Sequence, residues 1–113
     1  MIKIYHNPRC KKSRAGLAYL QAKSTNVEIV LYLKEPLSEV ELKDLFNKTN
    51  LKPNQLIRKQ EDYYKNTIKG KEFTDDELIA EMAKEPKLIV RPIVEANQKA
   101  VWADPPENID QIL

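Results

Sequence analysis

The first third of the chain combines two short apolar runs with one longer helical pattern. The segments "IKIY" (residues 2–5) and "VEIVLYL" (27–33) are rich in β-branched and aromatic side chains, which favours strands. Between them, residues 11–23 carry apolar side chains at helical spacing. Two short strands flanking one helix predict a βαβ unit with parallel strands and a right-handed crossover. The expected inner face of the helix consists of Ala15, Leu17, Ala18, Leu20 and Ala22.

Two capping signals predict helices in the middle of the chain. Ser38 is followed three residues later by Glu41, and Thr74 by Glu77, which is the spacing of a capping box. The stretch between these helices, residues 51–68, has a proline suited to a helix start and short helical periodicity. We expect two small helices there.

The last third changes character. "KLIV" (87–90) and "PIVEANQKAVWA" (92–103) favour strands, with a hairpin through Asn97 and Gln98, and "DPPENIDQIL" predicts a closing helix. Taken together, the element order predicts an α/β fold with a mixed four-stranded sheet and helices packed on its faces.

Composition restricts the functional classes. A chain of 113 residues suits one domain spanning residues 1–113, and a net charge of +2 with interspersed acids and bases argues against a nucleic-acid binder. No apolar run approaches the ~20 residues of a membrane span, and the start lacks the pattern of a signal peptide. The single cysteine excludes an internal disulfide framework, so we expect a cytoplasmic location.

The segment "HNPRCKKSR" (6–14) contains the only histidine and the only cysteine of the chain. Cys10 lies between a predicted strand and a predicted helix, where the free N–H groups and the helix dipole favour a thiolate. The surrounding basic side chains act in the same direction. A lone cysteine more often serves as a small buried hydrophobe, but the polar neighbours and Pro8 argue against burial here.

Other residues carry weaker signals. His6 either polarises the sulfur or caps the end of the strand, and spacing leaves both interpretations open. Ser13 is a default hydrogen-bonding residue of a helix start, and it could also bond the thiolate from three residues along the helix. Without further information, Arg58 and Arg91 are interpreted as surface residues.

Four segments together resemble a known family. "YHNPRCKKSR", "LIRK", "FTDDELIAEM" and "LIVRPIV" are similar, in this order and spacing, to segments of the glutathione- and glutaredoxin-dependent arsenate reductases. That family also includes the Spx-type transcription regulators. The resemblance implies a thioredoxin-like fold with an inserted helical segment.

The resemblance also implies catalytic roles. Cys10 matches the nucleophile that attacks arsenate, and His6 matches the histidine that tunes its sulfur. Ser13 and Arg14 match the polar and basic residues that follow in the catalytic loop. The reaction implied uses no bound cofactor or metal, takes glutathione as co-substrate and requires glutaredoxin as partner.

Three further positions match the family's oxyanion site. Arg58 and Arg91 correspond to two of three arginines that bind the oxyanion, and Pro92 corresponds to a cis-proline facing the sulfur. The chemistry is consistent, because guanidinium groups bind oxyanions through two parallel hydrogen bonds and stay charged at any working pH.

The chain departs from the family pattern at two places. Asp104 occupies the position of the third arginine, where an acid would repel an oxyanion, and Lys99 is a candidate to compensate. Ser13 stands where the disulfide-switching regulators have a second cysteine, so one chain cannot form an intramolecular redox switch.

Three functional hypotheses follow. The first is an arsenate reductase that turns over through a mixed disulfide between Cys10 and glutathione. The second is a related reductase of another small oxidant, which the substitution at Asp104 would favour. The third is a regulator that binds RNA polymerase without a redox switch, which the missing second cysteine disfavours.

Overall fold

The computed structural model describes all residues from Met1 to Leu113. Its strands are β1 (Ile2–Tyr5), β2 (Val27–Val30), β3 (Ile93–Ala96) and β4 (Lys99–Trp102), and its helices are α1 (Lys11–Lys23), α2 (Glu39–Thr49) and α3 (Asp75–Lys84). Short helical turns lie between or after these elements: Pro53–Gln55, Tyr64–Ile68, Pro86–Leu88 and Pro106–Gln111.

The four strands form one mixed sheet in the order β2-β1-β3-β4. β1 pairs in parallel with β2 and antiparallel with β3, and β3 pairs antiparallel with β4. The predicted βαβ unit and the predicted mixed four-stranded sheet with flanking helices are therefore confirmed.

The strand register brings four connecting segments to one edge of the sheet. β1 ends at Tyr5, which pairs with Val30, the last residue of β2. β3 begins at Ile93, which lies opposite Tyr5 on one side and Trp102 on the other. The turn after β1, the chain after β2, the segment before β3 and the segment after β4 consequently meet at the same edge.

Each face of the sheet is covered by its own hydrophobic cluster. On one face, α2 and α3 pack around buried residues that include Tyr5, Tyr32, Phe46, Met82 and Ile93. On the other face, α1 and the C-terminal helical turn pack around a smaller cluster that includes Ile4, Leu20, Val94 and Ile109.

The inner face of α1 differs from the prediction. Its buried residues are Ser13, Gly16 and Leu20, whereas the alanines expected there are exposed: Ala15, Ala18 and Ala22. The reason is a close approach between α1 and Pro92. A Cβ atom at Gly16 would lie 2.6 Å from Cγ of Pro92, so only glycine allows this contact.

Two predicted strand segments are shorter or absent. β2 ends at Val30, because its partner β1 ends at Tyr5, and Lys34 N–H then closes a turn onto the Leu31 carbonyl at 3.0 Å. Residues 87–90 were expected to be a strand, but Pro86–Leu88 form a 3₁₀ turn and only Ile89 makes a single bridge, to Ile57. The closing segment is also a 3₁₀ turn rather than an α-helix.

The two predicted capping boxes and the predicted hairpin are confirmed. The Ser38 and Thr74 side chains accept hydrogen bonds from the Glu41 and Glu77 N–H groups, and both glutamates reciprocate. The hairpin between β3 and β4 turns through residues 97 and 98, whose φ angles of 55° and 62° are left-handed. No helix has both the length and the apolar character required to cross a membrane.

Candidate active site

The turn after β1 places Cys10 at the mouth of α1. Cys10 is the N-cap residue and has extended backbone angles of φ −96° and ψ 123°. Its N–H donates to the Asn7 carbonyl at 3.1 Å, and its own carbonyl accepts the Arg14 N–H at 2.9 Å. The Asn7 side chain closes the turn by accepting the Arg9 N–H at 3.1 Å. The sulfur is thus held beside the first free N–H groups of the helix.

Opposing effects act on the Cys10 thiol, and those favouring the thiolate prevail. Partial burial raises the pKa of the thiol. The Arg91 guanidinium and the backbone N–H groups of Ser13 and Lys12 act in the opposite direction, and together they lower the pKa below its ordinary value. Cys10 is therefore a partly exposed cysteine whose surroundings stabilise the anion, not a buried hydrophobe.

His6 and Ser13 are hydrogen-bonded to each other. The Ser13 hydroxyl lies 2.8 Å from Nδ1 of His6 and accepts the Asn7 N–H at 3.0 Å. The side chain of Ser13 therefore supports the turn, and its contribution to the sulfur comes through its backbone N–H. Burial and the charge of Arg14 lower the pKa of His6, which favours a neutral imidazole.

The Arg91 side chain reaches the Cys10 sulfur from the segment that precedes β3. The Arg91–Pro92 peptide bond is cis. The Arg91 carbonyl accepts the indole N–H of Trp102 at 3.4 Å, and the Pro92 carbonyl accepts the Ala103 N–H at 2.8 Å. These bonds tie the segment to the end of β4. Nε of Arg91 is buried and has no hydrogen-bond partner.

Arg58 reaches the same region but is already paired. Its backbone N–H donates to the Leu88 carbonyl at 2.7 Å, which fixes the segment beside the one that leads to Arg91. Its side chain is 20% exposed, and Nε donates to the Glu61 carboxylate at 3.2 Å. Arg91 is therefore the guanidinium that acts on Cys10, and Arg58 is a neighbouring charge held by an acid.

Arg14 binds the backbone of the turn and is not among the groups that lower the pKa of Cys10. Its guanidinium donates to the Pro8 carbonyl at 3.0 Å at an exposed position. Its role in the structure is to brace the turn, rather than to add a cation to the thiolate.

Asp104 does not stand alone at the edge of the site. Its carboxylate lies 3.3 Å from the ammonium group of Lys12, the second residue of α1. The ion pair neutralises the Asp104 carboxylate. It also engages the Lys12 ammonium group, a cation two residues after Cys10. Lys99 cannot compensate, because it begins β4 opposite Ala96, at the other end of the strand from Trp102.

Tyr32 is a residue that the sequence interpretation missed. It is 1% exposed, and its hydroxyl has no hydrogen-bond partner. Both Arg91 and Arg58, as well as Cys10, influence the pKa of this hydroxyl. The signal in the sequence was a tyrosine within the aliphatic run "IVLYL", because a buried phenol ordinarily needs a partner for its O–H.

Comparison with known proteins identifies the family to which the chain belongs. The model of the ArsC family matches residues 5–112. The chain belongs to the ArsC family. The arsenate reductase of Neisseria meningitidis is 43% identical over 114 aligned positions, which cover 99% of this chain and 97% of that protein. The arsenate reductase of Haemophilus influenzae is 36% identical, with 97% of both chains covered.

A solved structure confirms the fold of this ArsC chain. The arsenate reductase from Vibrio cholerae superposes with a TM-score of 0.94 at 40% identity, covering 99% of this chain and 97% of that one. The thioredoxin-like fold of the ArsC family, with its inserted helical segment, is thus the fold of this protein.

Proposed function

We propose that this ArsC protein is a thiol-based oxidoreductase that reduces arsenate to arsenite through the Cys10 thiolate. The observation that carries the proposal is the position of Cys10 at the N-terminus of α1, with the Arg91 guanidinium and two backbone N–H groups lowering the pKa of its thiol. The same cation and N–H groups are suited to hold an oxyanion, because the free N–H groups of a helix start bind anions.

The first step is attack of the Cys10 sulfur on arsenic. A sulfur–arsenic bond forms and one arsenic–oxygen bond breaks. The oxygen leaves as water, with one proton already on the departing hydroxyl of arsenate and the second taken from solvent, because the thiolate carries none. Arsenic remains pentavalent. Thiolate and arsenate are both anions, so the reaction requires a cation between them, and Arg91 supplies it.

The second step is the redox step. The sulfur of glutathione attacks Cys10, the sulfur–arsenic electron pair passes to arsenic, and arsenite leaves in the trivalent state. Cys10 is then joined to glutathione by a disulfide. A dithiol or thiol of glutaredoxin attacks this mixed disulfide, takes over the glutathione and restores the Cys10 thiol.

An external thiol is needed because the chain has one cysteine. A cavity of about 360 Å³ adjoins the Cys10 turn and is lined by Arg9 and Lys34 together with Leu31 and Leu33. Its size lies in the range of small-ligand pockets, and its two cations suit the carboxylates of glutathione. This supports glutathione as the reductant.

A coupled assay tests the proposal. The protein is incubated with arsenate, glutathione, glutaredoxin, glutathione reductase and NADPH, and NADPH oxidation is followed. We expect arsenate-dependent turnover that is absent in Cys10→Ser, and a mixed disulfide with glutathione visible by intact-mass spectrometry. Turnover that survives Cys10→Ser, or that runs with thioredoxin and thioredoxin reductase but not with glutaredoxin, would contradict the mechanism.

A second candidate is a reductase of another small oxidant, and Asp104 favours it. This acid places a negative charge at the site edge and engages Lys12, which weakens the attraction for a dianion. The same assay with arsenate, selenate and hydrogen peroxide as alternative substrates distinguishes the candidates. The candidate substrate is the one with the highest kcat/KM.

A further inference from the structure

Two buried polar atoms beside Cys10 have no hydrogen-bond partner. They are the hydroxyl of Tyr32 and Nε of Arg91. Buried polar groups are paired in the large majority of cases, and one left unpaired destabilises the protein. One of the two atoms is able to accept a hydrogen bond, and the other donates one. The protein therefore has a buried donor, Arg91 Nε–H, and a buried acceptor, the Tyr32 hydroxyl, that could bond to each other but do not.

The fold brings these two atoms to the same place. Tyr32 follows the end of β2 by two residues, and Arg91 precedes the start of β3 by two residues. Both strand ends lie at the sheet edge where the Cys10 turn begins.

The charges around the phenol agree with this placement. Burial raises the pKa of Tyr32 and the Cys10 charge raises it further, whereas the Arg91 and Arg58 charges and a side-chain interaction with Arg91 lower it, and the balance is a pKa above the ordinary value. The Arg91 guanidinium is thus already close to the hydroxyl, although no contact between them has the geometry of a hydrogen bond. The hydroxyl therefore stays protonated, with both a donor proton and an acceptor lone pair.

We propose that Tyr32 is a positioning residue of the oxyanion site, whose hydroxyl accepts the Nε–H of Arg91 when Arg91 faces a negative charge, either the Cys10 thiolate or an oxyanion bound at Cys10, and thereby holds the guanidinium over the sulfur. The proposal rests on the function proposed above. With Nε–H bound to Tyr32, the two terminal nitrogens of Arg91 face outward and supply the parallel donors that an oxyanion requires.

The energetic logic follows from the unpaired atoms. In the free protein, both groups are buried without a partner, which is a cost that binding removes. The hydroxyl also keeps its own proton, which is free to donate to an anion oxygen. Tyr32 thus stabilises the conformation in which the Arg91 guanidinium binds the anion.

The test uses Tyr32→Phe, which removes only the hydroxyl. Because that hydroxyl has no partner in the free protein, the melting temperature should stay the same or rise. In a Cys10→Ser background, where no chemistry follows, arsenate should bind about tenfold more weakly, corresponding to one lost hydrogen bond. With Cys10 intact, the pH midpoint of its alkylation by iodoacetamide should move upward.

Tyr5→Phe is the matched control. Tyr5 belongs to the same hydrophobic cluster as Tyr32, but its hydroxyl donates to the Glu95 carboxylate at 2.9 Å. Its removal should lower the melting temperature and leave arsenate binding and the alkylation midpoint unchanged. A Tyr32→Phe protein with wild-type arsenate affinity and an unshifted alkylation midpoint would overturn the positioning role.

A measurement on the unsubstituted side chains makes the test independent of Tyr32→Phe folding. The Nε–H resonance of Arg91 is assigned by its loss in Arg91→Lys, and its exchange with water is followed by NMR as arsenate is added to the Cys10→Ser protein. Slowed exchange supports the pairing, and exchange that stays fast with arsenate bound overturns it. If the wild type fails to turn over arsenate while Tyr32→Phe still shifts the alkylation midpoint, the proposed function is wrong and the positioning role stands.

Discussion

The Ser13 hydroxyl lies 2.8 Å from Nδ1 of His6, and both residues are buried beneath the Cys10 turn. The same hydroxyl accepts the Asn7 N–H at 3.0 Å. One oxygen atom thus connects the end of β1 with the first turn of α1, and the position of the thiol depends on this connection.

Removing that oxygen should destabilise the fold. Ser13→Ala leaves the Asn7 N–H and the His6 imidazole buried without a partner, so we expect the free energy of unfolding to fall by about 2 kcal/mol. Urea denaturation measures it. Ser24→Ala is the control, because its hydroxyl accepts the Asn26 N–H at 3.2 Å at the surface, where a loss of less than ~0.5 kcal/mol is expected. Equal losses in both variants would contradict the structural role of Ser13.

His6 should make the fold sensitive to mild acid. Burial and Arg14 lower the pKa of His6 from its ordinary value of 6.5. Between the lowered folded value and 6.5, the unfolded chain binds more protons than the folded one, so stability is fully present above pH 6.5 and is lost as the pH falls below it. Unfolding free energies measured from about pH 7.5 to about pH 5 should show this decline.

The variant His6→Gln isolates this effect, because glutamine does not titrate. Any slope from Cys10 is common to both proteins, so below pH 6.5 the unfolding free energy of the wild type should decline more steeply than that of His6→Gln. The glutamates of the two capping boxes, Glu41 and Glu77, also have lowered pKa values, but their effect begins only below 4.5. A wild-type profile parallel to that of His6→Gln would refute the assignment.

Arg91 should control the reactivity of Cys10. Arg91→Gln removes the charged partner of the thiolate, so the pKa of Cys10 should rise and the pH midpoint of alkylation should move with it. Loss of one donor to the reacting oxyanion should reduce kcat/KM for arsenate about 100-fold. Lys11→Gln removes the same charge from the exposed residue next to Cys10 and should change neither quantity substantially. Similar changes in the alkylation midpoint and in kcat/KM for both variants would contradict a specific role of Arg91, because the net charge of the protein alone would then explain them.

Asp104 should limit the affinity for a dianion. Asp104→Asn releases Lys12, whose ammonium lies 3.3 Å from the carboxylate, and we expect KM for arsenate to fall about threefold at low salt, as for a surface charge. The gain should shrink as ionic strength rises. Asp104→Arg should produce a larger gain if the missing guanidinium is the limiting defect.

Asp76→Asn is the control for charge alone, since Asp76 pairs with Lys43 at 3.2 Å on a different helix. It should leave KM unchanged. A KM for Asp104→Asn equal to that of the wild type at every salt concentration would exclude electrostatic competition by Asp104.

The contact between Gly16 and Pro92 should tolerate no side chain. A Cβ at residue 16 would lie 2.6 Å from the proline ring, which has little room to move. Gly16→Ala gains ~1 kcal/mol of helix propensity, but the overlap should outweigh it and cause a net loss of about 2 kcal/mol. Thermal unfolding measures this, with Gln21→Ala on the exposed side of α1 as control. A stabilised Gly16→Ala protein would contradict the close approach.

The amino-acid sequence by itself determined those features whose causes are local. The capping boxes at Ser38 and Thr74, the bounds of α1 and the left-handed hairpin residues all depend on side chains within four positions of one another. The placement of Cys10 at a helix start belongs to the same class, because the dipole and free N–H groups follow from the helix alone.

Only the tertiary structure decided which groups meet. Residues 87–90 have strand-forming side chains, but Pro86–Leu88 turn, and Ile89 finds a single partner. The inner face of α1 is set by its approach to Pro92, about which the helical pattern carries no information. The ion pair of Asp104 with Lys12 and the approach of Tyr32 to Arg91 likewise join segments that are distant in the sequence. These pairings depend on the register of the sheet, which no short stretch of sequence specifies.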